Sequence, residues 1–266
     1  MIDSGKYNVL GILVNAIDYE AVVGQIMSAA QAGKPLAVSA VAVHGIMSGF
    51  LDARQKYRLN SLDFIVPDGQ PVRWALQWLH NSRLRDRVYG PRLMQAICAE
   101  AARQKMPIYL YGSTKAVVMK LATQLDKNFH GIRIAGAESS KFRTLDAHER
   151  EELVAKIGHS GARLVFVGLG CPRQEAWAYE LRDKLPMPII AVGAAFPLLA
   201  GVSRQAPAWM QQYGFEWLFR LLSEPRRLWK RYLCLNPLFL GSVALQCAGL
   251  RFSACGRRPS SELRYG

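Results

Sequence analysis

The sequence predicts an α/β protein built on a mostly parallel sheet with helices on both faces. Short apolar runs alternate along the chain with stretches of helical period, and the runs are nearly continuous in Val, Ile, Leu and Ala, as strands covered on both sides are. At 266 residues with 50% hydrophobic content, the chain is long enough to bury a full core.

Taken in order, Asn8–Asn15 reads as a strand. Tyr19–Ala32 follows as a helix with Val22, Val23, Ile26, Met27 and Ala30 on one face. Leu36–Val43 is a buried strand that empties into His44-Gly45, ahead of a helix expected over Ile46–Arg58. The run from Leu62 ends at Pro67-Asp68-Gly69, where Gly69 is expected to supply an unusual φ and Pro71 opens a helix to His80. Helices are expected at Pro91–Gln104, Thr114–Asn128, Asp146–Gly158 and Arg173–Leu185. Strands are expected at Pro107–Tyr111, Ile132–Ala135, Ala162–Val167 and Pro188–Val192. The alternation stops near Ser203, which divides the chain into an α/β domain over 1–202 and a helical appendage over 203–266.

Charge narrows the partners. The 34 Lys and Arg against 20 Asp and Glu give a formal +14, which suits nucleic acid, an anionic membrane surface or a phosphorylated substrate. Five cysteines, odd in number and without a C-x-x-C pair, point to a reducing compartment and to no structural metal. The N-terminal residues lack the basic and apolar regions of a secretory signal. Phe215–Leu235 reads as a basic, aromatic helix, and no charged residue lies between Arg231 and Arg251. That uncharged run approaches the roughly 20 residues that span a bilayer. Asn236-Pro237, Gln246 and two glycines oppose insertion, so the tail is expected to lie in the interface; a single span and a buried helix are the other two states open to it.

Several stretches could carry chemistry. Asp68 ends an apolar strand, where sites in open α/β sheets lie, although a helix cap is the other use of such a residue. Gly168-Leu-Gly170 leads from a strand into a helix whose N–H groups can face a phosphate, but Arg173 stands where a dinucleotide fingerprint has its third glycine. Gln174 and Glu175 can cap the helix that follows. No D-x-D occurs, so a bound diphosphate would need cationic side chains, of which Arg220, Arg226, Arg227 and Arg231 are the densest supply; a solvated basic helix is the alternative. His44 is a structural or a catalytic histidine.

Six stretches in this order resemble the bacterial WecG/TagA/CpsF glycosyltransferase family: Ile65–Val72, Arg87–Pro91, Phe166–Glu175, Val192–Phe196 with Ala200-Gly201, Ala206–Met210, and Glu216–Arg227. The resemblance runs from about Val9 to Phe239. It implies a Rossmann-like fold with a C-terminal appendage at the membrane, no cofactor and no metal. It further implies inverting transfer of a sugar from a UDP-sugar donor to an undecaprenyl-diphosphate-linked acceptor in surface polysaccharide assembly, at the cytoplasmic face of the bacterial inner membrane.

Through the same resemblance Asp68 is the expected base, and Arg220, Arg226 and Arg227 are expected to stabilise the departing diphosphate. Gly69, Gln70, Gly90, Gly168, Gly170, Arg173 and Gln174 fall in motifs expected to touch substrate. Where the family commonly has Thr-Pro-Asn, this chain has Ser39-Ala-Val-Ala-Val-His44, so Ser39 takes the threonine's place and His44 part of the asparagine's. Arg92 and Pro197 stand where acids are common. The Val38–Gly45 variant is similar to the exopolysaccharide branch with xanthan-type glucosyltransferases, which favours glucose over N-acetylmannosamine. A nicotinamide-dependent oxidoreductase and a non-enzymatic basic module that binds lipid or nucleic acid are the competing classes; the oligomeric state stays open, a homo-oligomer included.

Overall fold

The computed structural model describes residues 1–266. Eight strands form two sheets. β1 (Asp3–Val9) and β2 (Ile12–Ile17) are an antiparallel hairpin, and β3 (Leu36–Val41), β4 (Phe64–Pro67), β5 (Pro107–Gly112), β6 (Arg133–Glu138), β7 (Leu164–Gly168) and β8 (Pro188–Ala191) form a parallel sheet of order β4-β3-β8-β7-β5-β6. Helices α1 (Tyr19–Ala32), α5 (Gly90–Arg103) and α6 (Lys115–Asn128) bury one face, and α2 (Val43–Leu51), α3 (Ala53–Asn60), α4 (Gln70–His80), α7 (Ala147–His159) and α8 (Arg173–Leu181) the other. Strand periodicity explains why apolar runs need not alternate: along β5, Ile108 and Leu110 enter one core and Tyr109 and Tyr111 the other.

Local chemistry sets the boundaries. Asp146 and Glu149 form a capping box at the start of α7, and Thr114 accepts from the Val117 N–H at the start of α6. Three expectations need correction. Asn8–Asn15 is a hairpin and not one strand, because Leu10 and Gly11 both take positive φ and reverse the chain. The helix expected over Ile46–Arg58 breaks at Asp52, whose carboxylate accepts from the Arg54 and Gln55 N–H groups and starts α3 anew. Gly69 is extended, with φ −97°, and supplies no left-handed turn.

The edge strand β4 is covered by the hairpin, and Asn15 accepts the Ile65 N–H at 2.8 Å. Beyond β8 every regular element is helical: α9 (Ala195–Leu199), α10 (Ala208–Gln212), α11 (Glu216–Ser223), α12 (Pro225–Trp229), a π-helical turn at Lys230–Cys234, and α13 (Leu235–Cys247). The single helix expected over Phe215–Leu235 is divided at Glu224, because the residue before Pro225 is pushed out of the helical region, to φ −137° and ψ 61°.

α13 is two-faced. Phe239 and Val243 are buried in the core beneath α2 and α4, and Gln246 bonds the Leu10 N–H and the Asn8 carbonyl. Leu238, Leu240 and Leu245 on its other side are exposed. No helix is long and apolar enough to cross a membrane. Past α13 the chain returns across the body, where Asn60 donates to the Ala254 carbonyl and Glu180 accepts from the Leu263 and Arg264 N–H groups. Phe239→Ala is expected to lower unfolding stability by about 3–5 kcal/mol in one cooperative transition, the cost of a large cavity in a core; a loss under about 1 kcal/mol in denaturant unfolding would show that α13 lies outside the cooperative unit.

Candidate active site

The carboxyl ends of β3, β4, β8, β7 and β5 open on one cavity of about 290 Å³, lined among others by Ala42, Asp68, Ser113, Gly168, Gly170, Gln174 and Gly193. A second cavity lies beside it under the C-terminal helices, bounded by His44, Gly69, Gln70, Arg87, Glu216 and Trp217. Asp68, Arg220 and Arg231 belong to the walls of both. The parallel sheet thus places Asp68 where two cavities meet, at the strand ends where the topology leaves a crevice.

Asp68 does not cap the helix that follows it. The N-cap of α4 is Gly69, without a side-chain bond, and the Asp68 carboxylate instead accepts the Gly90 N–H at 2.6 Å, at the first turn of α5. The Gly90 Cα packs closely here, since a Cβ would stand 3.4 Å from the Ala40 side chain and the Val192 carbonyl and 3.6 Å from Asp68 Oδ1. Burial raises the Asp68 pKa. Arg87, the Gly90 N–H and Arg220 pull it down, while Glu216 adds to the rise.

The electrostatic frame around Asp68 crosses the chain. Glu216 on α11 meets Arg87 at 2.7 Å with both side chains nearly buried, accepts from the Tyr89 hydroxyl at 3.2 Å, and lies 3.4 Å from Arg220. The Arg87 guanidinium also sits 4.4 Å over the Tyr89 ring. Removing one partner of so buried a pair strands the other charge, so this contact fixes α11 over the strand ends. Arg87 and Glu216 are site residues that sequence reasoning missed. Both lie in the quoted motifs, but a pairing across 129 positions leaves no local trace.

The other predicted positions are distributed unevenly. Ser39 faces the core side of β3 and donates to Glu175 Oε1 at 3.0 Å, so its hydroxyl is beneath the cavity and not in it. Gln174 is folded back, accepting the Gly170 N–H at 3.2 Å and donating to Glu175 at 2.9 Å. Burial pushes the Glu175 carboxyl upward in pKa, while Gln174 and Ser39 oppose the rise. Gly168 packs on Phe196, where a Cβ would come within 2.6 Å of the ring, and Gly170 takes φ +77°. Gln70 bonds Asp86 and Arg73. His44 lines the second cavity with Nδ1 buried and unpartnered, and burial together with Arg231 lowers its pKa to about 4, so it is neutral at pH 7.

Of the basic residues, Arg220 and Arg227 line the cavities, Arg227 while paired with Glu224 at 2.5 Å. Arg231 joins them, with its Nε buried and without a partner. Arg226 is exposed and lines neither cavity; Arg173 is exposed too, with its guanidinium 5.6 Å over the Tyr265 ring. No three His, Cys, Asp or Glu side chains come together as a metal site. Positive charge at the cavities comes from arginine.

A model of the Glycosyl transferase WecG/TagA/CpsF family matches residues 7–252. The chain belongs to this family. It is 32% identical over 176 residues to an N-acetylglucosaminyldiphosphoundecaprenol N-acetyl-beta-D-mannosaminyltransferase of Bacillus subtilis (strain 168), covering 66% of each chain. A protein of the same description from Bacillus spizizenii (strain ATCC 23059 / NRRL B-14472 / W23) is 31% identical over 186 residues, 70% of this chain and 69% of its own. The matched stretch thus spans about two thirds of the length of each relative.

Because the folded-state pKa of Asp68 is raised, its favourable contribution is complete below the unfolded carboxylate value of about 4 and is lost as pH rises through the folded value. Asp68→Asn keeps an oxygen for the Gly90 N–H and removes that loss. The variant's melting temperature relative to wild type is expected to climb between pH 4 and pH 8; a relative fall over that range would mean that ionised Asp68 is a structural anion.

Proposed function

We propose that this member of the family is an inverting glycosyltransferase that moves a hexose from a UDP-sugar to an undecaprenyl-diphosphate-linked saccharide. The observation that carries this reading is the Asp68 carboxylate at the junction of two cavities, beside a frame of arginines. Asp68 takes the proton of the acceptor hydroxyl as that oxygen bonds to the anomeric carbon. The bond from that carbon to the diphosphate oxygen breaks on the opposite face, which inverts the configuration and leaves UDP. Arg220, Arg227 and Arg231 stand where they can meet the charge that develops on the leaving diphosphate. Neutral His44 serves as a polar wall of the second cavity.

The relatives' names specify transfer of N-acetylmannosamine to an N-acetylglucosaminyl-diphosphoundecaprenol. The Val38–Gly45 variant favours glucose as this chain's donor, and thereby a role in exopolysaccharide assembly. On this reading the protein acts at the cytoplasmic face of the bacterial inner membrane, where a UDP-sugar and a lipid-linked acceptor would meet. In support, the outer side of α13 and its surroundings expose Leu233, Leu238, Leu240, Leu245 and Leu250 with no charge among them, beside exposed Trp229.

UDP release from UDP-glucose and from UDP-N-acetylmannosamine, with undecaprenyl-diphosphate-linked glucose or N-acetylglucosamine as acceptor and EDTA present, tests the reading. Acceptor-dependent release from one donor is expected, with a 10²- to 10⁴-fold loss in Asp68→Asn. Full activity in that variant would remove Asp68 from the chemistry, and release from neither donor would remove the assignment. The wild-type kcat/KM should rise with pH along a limb lying above the ordinary aspartate value of about 3.9, because only the ionised carboxylate accepts the proton. A limb that persists in Asp68→Asn would belong to another group. Leu240→Glu with Leu245→Glu is expected to release the protein from anionic vesicles in a flotation assay while leaving its melting temperature in place; unchanged flotation would refute the interfacial role of α13.

A further inference from the structure

A third cavity, of about 840 Å³, opens beside the Asp68 loop between α4, the stretch Arg85–Arg92 and the end of α10. The steps above do not use it. Its wall carries Arg73, Arg85 and Arg92 against a single carboxylate, Asp86; Arg87 also reaches it but is already neutralised by Glu216. Arg73 is held in place, donating from Nε to Gln70 at 2.8 Å and from Nη1 to the Leu84 carbonyl at 3.1 Å. Arg85 is exposed and makes no ion pair or hydrogen bond. Arg92 lies 3.7 Å from Asp86 and 5.8 Å over the Tyr19 ring. The groove therefore presents a surplus of fork-shaped cations, the geometry that matches phosphate oxygens.

Aromatic side chains border the same groove. Trp74 and Tyr213 line it, Trp74 stacks on exposed Trp78, and Trp209 on α10 is exposed beside it. Gly214 lets the α10–α11 turn press on Trp74, since a Cβ there would stand 2.7 Å from the ring. Half-exposed tryptophan and tyrosine are side chains of the headgroup level of a bilayer. The groove shares Gln70 and Arg87 with the second cavity and Tyr89 with the first, but it touches neither the glycine turn nor Arg220, Arg227 and Arg231.

We propose that this groove binds the diphosphate of the lipid-linked acceptor, separately from the donor's diphosphate, so that the acceptor sugar reaches Asp68 from the α4–α10 side. The assignment rests on the glycosyltransferase reading above. Two negatively charged phosphates match the cation surplus, and the aromatic border matches a ligand whose prenyl chain stays in the bilayer while its head enters the protein.

The test uses the full chain, a short-prenyl acceptor that needs no membrane, and inorganic pyrophosphate as the probe. Pyrophosphate is expected to compete with the acceptor. In Arg85→Ala/Arg92→Ala, both its inhibition constant and the acceptor KM should rise about tenfold or more, with UDP affinity measured by titration unchanged. Arg83→Ala, an exposed arginine outside the groove, should change none of these. Competition with the donor alone, or an unchanged inhibition constant and acceptor KM in the double variant, would overturn the proposal. If the wild type transfers no sugar, calorimetric titration of pyrophosphate at saturating UDP still decides it: binding that the double variant loses supports the groove while the transferase reading fails, and no binding overturns the groove itself.

Discussion

The contact on which the site depends is the nearly buried pair of Arg87 and Glu216. Arg87 lies in the connection before α5, where the neighbouring Val88 N–H donates to the Pro67 carbonyl at the end of β4, and Glu216 begins α11, so their 2.7 Å approach joins the strand ends to the C-terminal helices. Each charge is costly to leave alone in that setting, and the hydroxyl of Tyr89 and the guanidinium of Arg220 complete the arrangement. Arg220 is thereby held beside Asp68, and the two cavities that share Asp68 acquire a common wall. Tertiary burial, more than the charge of the helix, turns a basic segment into part of a site.

A gradient of environment follows from this contact. At the floor of the cavity, Gln174 and Glu175 are hydrogen-bonded to each other, with Ser39 donating to Glu175 from beneath and the Gly170 N–H donating to Gln174, which supports the Gly168-Leu-Gly170 turn. At the cavity, burial raises the Asp68 pKa, while the Gly90 N–H, Arg87 and Arg220 pull it down. Outward, Arg227 and half-buried Arg231 line the cavity wall, and beyond them exposed side chains become aromatic and aliphatic. Charge and apolar surface are ordered from the sheet toward the place where a lipid-linked substrate would arrive.

The C-terminal residues serve two sides at once. Phe239 and Val243 close the core over the β1–β2 hairpin and α4, and the leucines on the other face of α13 are left exposed. Of the uncharged stretch from Tyr232 to Leu250, Leu235–Cys247 forms one short helix buried on one side and exposed on the other, and no helix is long and apolar enough for a span. The return of residues 250–266 across α3 and Glu180 ties the segment to the α/β body.

Much of this was legible in the sequence, because strand and helix leave local periodic signals. Tyr19–Ala32 and the start of α8 fall where the apolar spacing put them, and Asp68 could be singled out from an apolar run broken by Asp-Gly. The hairpin escaped notice because its turn, Leu10-Gly11, sits inside a continuous apolar run, and the break at Asp52 because the hydrophobic spacing continues across it. The sequence by itself determined the parallel α/β class, the family and the identity of the proposed base, since those rest on patterns a few residues long. Only the tertiary structure decided that Ser39 turns away from the cavity, that Arg226 and Arg173 stand outside it, and that Arg87 and Glu216 belong to it. Pairing between distant side chains, and which face of a strand a cavity touches, depend on how elements pack, and no local spacing encodes that.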